Sequence, residues 1–343
     1  MPRLAPPSSL VALLVTLAGI AACSSEAPTP DPAPTAVRAP GTTPNGVAMQ
    51  LSQQLKDLGS RNDAVAVAAI DALVAQGPAA LDVVTPVFEQ GSETARENAL
   101  EVLKELELPD SVPLLVKVLG RDDDPDVRYE TAILLGQLAD PRAREVIEAT
   151  LRDREWTART GAARACATLC TSPEAVDRLV WMAIFDQPVQ PGIWARSSLV
   201  KMLKSSAAAP APADPPGQVR AAIERAAKPA ASGTGSLETR VRAALLLSDI
   251  GDTSGIPALR EAVAQQGLDA KVMPYPLFVL GQIGDASDVP ALSAALANPR
   301  PEVSAFAYDA LRRLAAKNQP GAAEAMAGFQ GPKPAKELKS PLP

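Results

Sequence analysis

Apolar residues between Asp124 and Leu151 recur at mixed three- and four-residue steps: Val127, Ala132, Leu134, Leu135 and Leu138, then Ala143, Val146, Ile147 and Leu151. That is the helical period, and it predicts two amphipathic helices. Asp140 and Pro141 fall between them, where Asp caps the second helix and Pro is tolerated in its first turn. The same pattern returns along most of the chain. Aligned on the apolar core of each first helix, Ala66, Arg96, Arg128, Arg159, Arg196, Arg240, Met273 and Ser304 take one equivalent position. Their successive spacings are 30, 32, 31, 37, 44, 33 and 31 residues. A period near 31 in paired helices predicts a solenoid.

The clearest internal copy sets Ile250–Leu259 (IGDTSGIPAL) against Ile283–Leu292 (IGDASDVPAL), with Leu106–Leu115 as a looser third. Two units depart from the pattern. Met273-Pro274-Tyr275-Pro276 replaces the opening of the seventh first helix, which predicts a late start there. The fifth unit is stretched by residues 205–215 and 228–236, rich in Ala, Pro, Gly and Ser, which predict projecting loops either side of a helix at 218–227.

Units of the form D-P-x-V-R, then A-x-x-L-G-x-L-x-D, then x-x-P-x-L resemble HEAT repeats of the short kind described in phycobilisome lyases. The resemblance runs from Asp63 to Phe329 in eight units, after an opening helix at 47–58. It implies an all-α, right-handed α-solenoid of about eight HEAT-like helix pairs over residues 47–329, with second helices turned to the concave side. It implies no particular activity, because fold does not fix function.

The N-terminus carries a different kind of information. Arg3 precedes the apolar run Leu10–Ile20, which has the length of a secretory signal rather than a mature membrane span. Ile20-Ala21-Ala22-Cys23 then resembles the lipobox of bacterial lipoproteins, with Ile where Leu is usual. The resemblance implies a signal peptide at 1–22 and acylation of Cys23 by chains of the palmitate kind. An ordinary signal peptide with Cys23 incidental is the alternative. Ser24, rather than Asp, follows the cysteine, which by the sorting rule of such lipoproteins implies the outer membrane, facing the periplasm. Residues 23–46 are rich in Pro and Ala and predict a disordered tether of at most roughly 70 Å. The tail, residues 330–343, sets Lys333, Lys336 and Lys339 among prolines and predicts disorder as well.

Composition narrows the chemistry. The chain is 47% apolar but only 3% aromatic, which suits thin helix-on-helix packing. Lys plus Arg is 33 against 39 Asp plus Glu, a net charge of -6, so no nucleic acid is expected as partner. There is no histidine, the commonest general base and neutral metal ligand. Ser198-Leu-Val-Lys201 matches S-x-x-K but lacks its companion motifs and lies in a repeat helix. No catalytic residue, metal or cofactor is therefore expected. Asp122-Asp123-Asp124 reads as an acidic turn that caps the next helix.

Three groups of side chains remain as candidates. The recurring Arg96, Arg128, Arg159, Arg196 and Arg240 read as an intramolecular ladder whose guanidinium groups reach acceptors of an adjacent repeat, such as Asp110, Asp140, Asp252 or Asp285; a basic groove is the alternative. Cys166 and Cys170 share one helix face, where buried thiols, a strained disulfide and a reactive pair are all open. Trp181 aligns with the solvent-facing Lys117, Glu261 and Ala294, with Phe185 four residues on and Trp194 near. These aromatics form a partner-binding anchor, or the segment 186–192 folds back and buries them. The expected function is a non-catalytic, membrane-anchored HEAT-repeat scaffold that binds another protein at the bacterial cell envelope. The competing expectation is an enzyme-associated subunit or a chromophore-lyase-like maturation factor.

Overall fold

The computed structural model describes residues 52–205, 215–265, 268 and 271–343. The signal segment, Cys23, the 23–46 linker, residues 47–51 and most of the 205–215 insertion lie outside the described residues.

Helices follow one another in pairs, and no strand occurs among the described residues. A helical segment α1 (52–58) precedes α2 (Asp63–Val74), and the two short helices α3 (Ala80–Val84) and α4 (Val87–Gln90) complete the first unit. First and second helices then alternate: α5 (Glu93–Leu106) with α6 (Val112–Arg121), α7 (Pro125–Leu138) with α8 (Arg144–Thr150), and α9 (Trp156–Leu169) with α10 (Pro173–Phe185). The fifth and sixth units are α11 (Val189–Lys204) with α12 (Pro215–Ser232) and α13 (Leu237–Asp249) with α14 (Ile256–Gln265). The last are α15 (Pro274–Ile283) with α16 (Val289–Ala295) and α17 (Pro301–Ala316) with α18 (Ala322–Met326).

Local chemistry sets these boundaries. The side chains of Asn62, Ser92, Asp124, Ser172 and Ser236 accept from backbone N–H groups of the first turns of α2, α5, α7, α10 and α13, satisfying donors that the helix leaves unpaired. Asp124, the last of the acidic triplet, thus caps as its position predicts. Proline stands in the first turn of α6, α7, α10, α15, α16 and α17, where it lacks no bond. The seventh first helix begins at Pro274 and spans 10 residues, the late start its prolines predict.

First helices stack on first helices, α5 on α7, α7 on α9, α9 on α11 and α15 on α17, while α6 meets α8, α10 meets α12 and α14 meets α16 in the second layer. Leu and Ala fill the space between. The glycine of the A-x-x-L-G motif has a steric reason. A Cβ on Gly136 would lie 2.8 Å from the Cα of Ala165 in α9, and one on Gly281 would lie 2.7 Å from that of Ala310 in α17. At both positions the next first helix crosses too closely for any side chain.

The stack changes at one place. Helix α13 packs chiefly on α12 and also on α10, rather than on α11 as the repeat would have it. The stretched spacing of the fifth unit is the cause, since α12 runs for 18 residues and displaces its successor. Here the expectation for residues 228–236 needs correction: helix continues through Ser232, and only Gly233–Gly235 form a bend before Ser236 caps α13. Val219, Ala222, Ile223, Ala227 and Ala231 are buried on one face at three- and four-residue steps, so an apolar stripe carries the helix past the residues that read as a loop.

The tail corrects a second expectation. Residues 330–343 have no helix, yet they lie back on the solenoid: Arg312 and Arg313 donate to the carbonyls of Pro334 and Leu338 at 2.8 and 2.7 Å, Tyr275 to that of Pro341 at 3.2 Å, and Ser197 to a carboxyl oxygen of Pro343 at 2.6 Å. Composition alone reads this segment as unable to pack, but the surface it crosses supplies both the donors and an apolar seat.

Candidate functional site

On α10 the residues Val176, Leu179, Val180, Met182, Ala183 and Ile184 turn inward, which leaves Trp181 and Phe185 on the outer side of the second-helix layer. They are 44% and 42% exposed, with ring centroids 6.0 Å apart and tilted by 41°. Arg178, one turn earlier, lays its guanidinium 4.2 Å from the Trp181 ring centre while its Nε donates to the carbonyl of Leu151 at 3.0 Å. Burial pulls the pKa of Arg178 below its ordinary value, yet a guanidinium remains charged at any physiological pH. The carbonyl fixes the cation and the cation fixes the indole, so the aromatic pair stands pre-ordered in solvent. Asp177, on the same helix, pairs with Arg225 of α12 and bridges two second helices close by.

The segment after α10 does not fold back over this pair. Helix α11 starts at Val189, and of the three residues before it Asp186 turns inward, only 3% exposed, while Gln187 and Pro188 stand in solvent without covering the rings. Trp194 is not part of the patch. It lies half-buried on α11, 4.4 Å beneath the guanidinium of Arg164, whose Nη1 donates to the Tyr129 hydroxyl at 2.6 Å. Tyr129, Arg164 and Trp194 thereby link α7, α9 and α11 in the first-helix layer, away from α10's outer side.

The recurring arginines form a ladder along the inter-repeat turns. Arg128 grips Asp153 with two bonds of 2.9 Å and donates back to the carbonyls of Asp122 and Asp123 at 2.9 and 3.2 Å. Arg159 repeats this one unit on, with two bonds of 2.9 and 2.7 Å to Asp186 and two of 3.0 Å to the carbonyls of Asp153 and Arg154. Arg96 pairs with Asp122 at 2.9 Å and donates to the carbonyl of Gly91. Each guanidinium therefore ties the turn before its helix to the turn after its unit. The acceptors are not the inter-helix Asp110, Asp140, Asp252 or Asp285. Asp140 is held by Arg142, Asp252 by Lys228 and Asp285 by Arg260. The inter-repeat turns lie on the side the arginines face, whereas Asp140, Asp252 and Asp285 accept from the backbone N–H two residues on, in the turns that lead into second helices.

Beyond the fourth unit the ladder changes hands. Arg196 reaches over to Asp249 of α13 at 2.6 and 2.8 Å, and Arg240 meets the half-exposed Glu261 at 2.6 and 2.8 Å. The buried role passes to Arg242, which donates to the carbonyls of Met182, Ala183 and Asp186 at 2.8, 2.8 and 2.9 Å and so closes the C-terminal end of α10. Burial lowers its pKa against the pull of Glu238 and Asp186. Gly192 makes room for it, because a Cβ there would collide with Nη2. Sequence alignment missed Arg242, two residues past the repeat position, and gave no signal for it. Arg178 was legible as a cation three residues before Trp181 on one helix.

Cys166, in α9, and Cys170, at its C-terminal cap, are joined by a disulfide and are buried against the core. No group of three or more Cys, Asp and Glu is placed to hold a metal ion among the described residues. No single described helix is long and apolar enough to cross a membrane, although the bent pair Asp63–Val74 with Gly77–Gln90 meets the length and composition.

HEAT repeats match residues 49–132 and 112–188, and the PBS lyase HEAT-like repeat matches residues 239–265. No curated protein matches the sequence. Among solved structures, YibA of E. coli superposes with a TM-score of 0.50 at 14% identity, covering 81% of this chain and 98% of that one. The complex of CpcE and CpcF of phycocyanin lyase from Nostoc gives 0.30 at 18% identity, covering 87% and 97%. Human deoxyhypusine hydroxylase in complex with glycerol gives 0.32 at 24%, covering 74% and 89%. The first of these shares the fold, and the chain is an all-α solenoid that carries HEAT repeats over residues 49–188 and a HEAT-like repeat of the PBS-lyase kind at residues 239–265.

Proposed function

We propose that this chain is a non-catalytic scaffold, anchored to the bacterial envelope through acylated Cys23, that holds another protein on the second-helix face of its solenoid. The observation that carries the reading is the pre-ordered Trp181–Phe185 pair. Two large aromatics stand side by side in solvent on a chain that is only 3% aromatic, and a half-buried arginine orients one of them. Trp and Arg are the residues most enriched where a few contacts carry most of a binding energy. A stack of helix pairs offers an extended surface around such an anchor, and a lipid would confine it to one membrane and raise the effective concentration of its cargo. Localisation at the outer membrane, facing the periplasm, rests on Ser24 after the cysteine.

The test is affinity purification of the lipidated full chain from its own envelope beside a Trp181→Ala, Phe185→Ala variant. A specific protein held by the parent and lost in the variant, with melting temperature unchanged, supports the scaffold. The same proteins recovered with both refute the aromatic anchor. A Cys23→Ser variant should leave the membrane fraction, and one that stays there would overturn the lipid anchor. The PBS-lyase-type repeat at 239–265 supports a second reading, a chromophore-lyase-like maturation factor, which a co-purified visible chromophore would favour.

A further inference from the structure

The tail crosses the described solenoid where α13 leaves the regular stack. From α17 it runs back past α15 to α11, covering the region where α13 fails to stack on α11. Leu342 enters the cleft so formed, against Ala183 at the end of α10, Ile193 and Arg196 of α11, Leu245 of α13, and Val272 with Tyr275 at the start of α15. With Leu342 seated, about 20 Å³ of free space remains, room for a water molecule and little else.

How the surface holds this segment is the informative part. Four side chains, those of Arg312, Arg313, Tyr275 and Ser197, bind it: the first three donate to the main-chain carbonyls of Pro334, Leu338 and Pro341, and Ser197 to an oxygen of the Pro343 carboxyl group. Its polar side chains are little used: Glu337 pairs with Arg313 at 2.9 Å, Ser340 accepts only from within the tail, from the Leu342 N–H, and Lys333, Lys336 and Lys339 are exposed. Two apolar side chains, Leu338 and Leu342, pack on the core. Main-chain acceptors read by fixed donors, with apolar pockets for spaced side chains, is the arrangement of an extended-peptide site. Such a site discriminates by the spacing of its apolar residues and by an extended backbone, and proline preorganises that backbone.

We infer that the surface spanning α11, α13, α15 and α17 is a second docking groove, distinct from the Trp181–Phe185 patch, whose partner is an extended segment of another protein with the register Leu-x-x-Pro-Leu-Pro. This chain's own residues 334–343 are its resident occupant. A partner segment has to displace them, and because the resident is tethered its effective concentration is in the millimolar range, so only a segment that binds better or arrives in a multivalent assembly wins.

The test uses a fluorescein-labelled synthetic peptide of sequence PAKELKSPLP, identical to residues 334–343, and the full chain. A Leu338→Asp, Leu342→Asp variant, whose own tail no longer seats, should bind the peptide at least about tenfold more tightly than the parent. In that background Tyr275→Phe should weaken binding by about fivefold, the worth of one neutral hydrogen bond, and Ser197→Ala by at least as much, because its acceptor is the peptide's terminal carboxylate. Equal binding by parent and released variant, or binding by neither while circular dichroism shows the helices intact, overturns the groove. A measurement on the unaltered chain stands beside these: the millimolar free peptide with both lysines replaced by glutamine, so that trypsin does not cut it, should speed tryptic cleavage of the chain after Lys336 and Lys339, and an unchanged rate overturns the displacement. A parent chain that is dimeric and becomes monomeric in the released variant would make the occupant a second copy's tail and overturn the resident reading.

Discussion

Arg159 and Arg240 occupy the same place in the repeat, and the structure separates them sharply. Arg159 is buried, as is its partner Asp186, and it makes five hydrogen bonds: two to the carboxylate and three to the carbonyls of Asp153, Arg154 and Gln187. In Arg159→Met the methionine fills much of the volume but leaves Asp186 charged, buried and without its bidentate partner. Removing one member of a buried pair costs about 3–5 kcal/mol. For a domain of this size each kcal/mol lowers the melting temperature by about 2 °C, so the variant should melt about 6–10 °C below the parent. Arg240 lies at the surface with a half-exposed partner, Glu261. Solvent screens that pair, and Arg240→Met should melt with the parent. Replacing both members of the buried pair, as Arg159→Met with Asp186→Leu, removes the stranded charge and should recover part of the loss. The assay is thermal unfolding followed by circular dichroism, with hydrogen exchange across α9 and α10 to locate the opening, since a solenoid need not melt as one unit. A shift under 1 °C for Arg159→Met, or one no larger than that of Arg240→Met, would refute the ladder as a source of stability.

Three further outcomes follow from the geometry. Gly136→Ala sets a methyl 2.8 Å from the backbone of Ala165 and should cost about 1–3 kcal/mol, read as a fall in melting temperature, whereas Gly120→Ala meets nothing nearer than 3.8 Å and should be tolerated. Burial, and then the carboxylates of Asp124 and Asp126, hold the Glu97 pKa above its ordinary value against the pull of Arg96. The folded state therefore binds that proton more tightly than the unfolded one, and its stability rises as pH falls from the raised value towards about 4.3. Glu97→Gln should accordingly melt above the parent at pH 7 and lose that advantage below pH 4; a difference independent of pH would contradict it. Reductant should add two titratable thiols to the unfolded chain, from Cys166 and Cys170, and two already titrating before reduction would rule the disulfide out.

Much of the architecture was legible in the sequence because a repeat states its rule many times over. The apolar steps around Val127 and Leu135 set helix and face, Asp124 and Asp140 marked starts, and the return of the first-helix position, at 30–33 residues outside the stretched fourth and fifth intervals, gave the period. The ladder itself was legible as a role, but its acceptors were not. Asp122, Asp153 and Asp186 become partners only when three-dimensional stacking brings one unit's turn beside the previous unit's helix, and no local spacing distinguishes them from Asp110 or Asp140.

What the sequence determined by itself is whatever short-range chemistry decides: helical periods, caps, prolines in first turns, and an aromatic pair four residues apart on one helix. What only the tertiary structure decided depends on groups far apart in the chain. The exposure of Trp181 and Phe185 rests on the turn after α10, anchored by the buried Asp186, leaving them uncovered. The burial of Arg242 rests on α13 packing against α10 when α12 displaces it from α11. The ordering of residues 330–343 rests on donors at Ser197, Tyr275, Arg312 and Arg313, contributed by three different repeats. The tail's proline-rich composition cannot bury a core of its own, so the sequence reads it as disordered. A surface that satisfies its carbonyls and seats two of its leucines removes that obstacle, and such a surface exists only once the repeats have stacked.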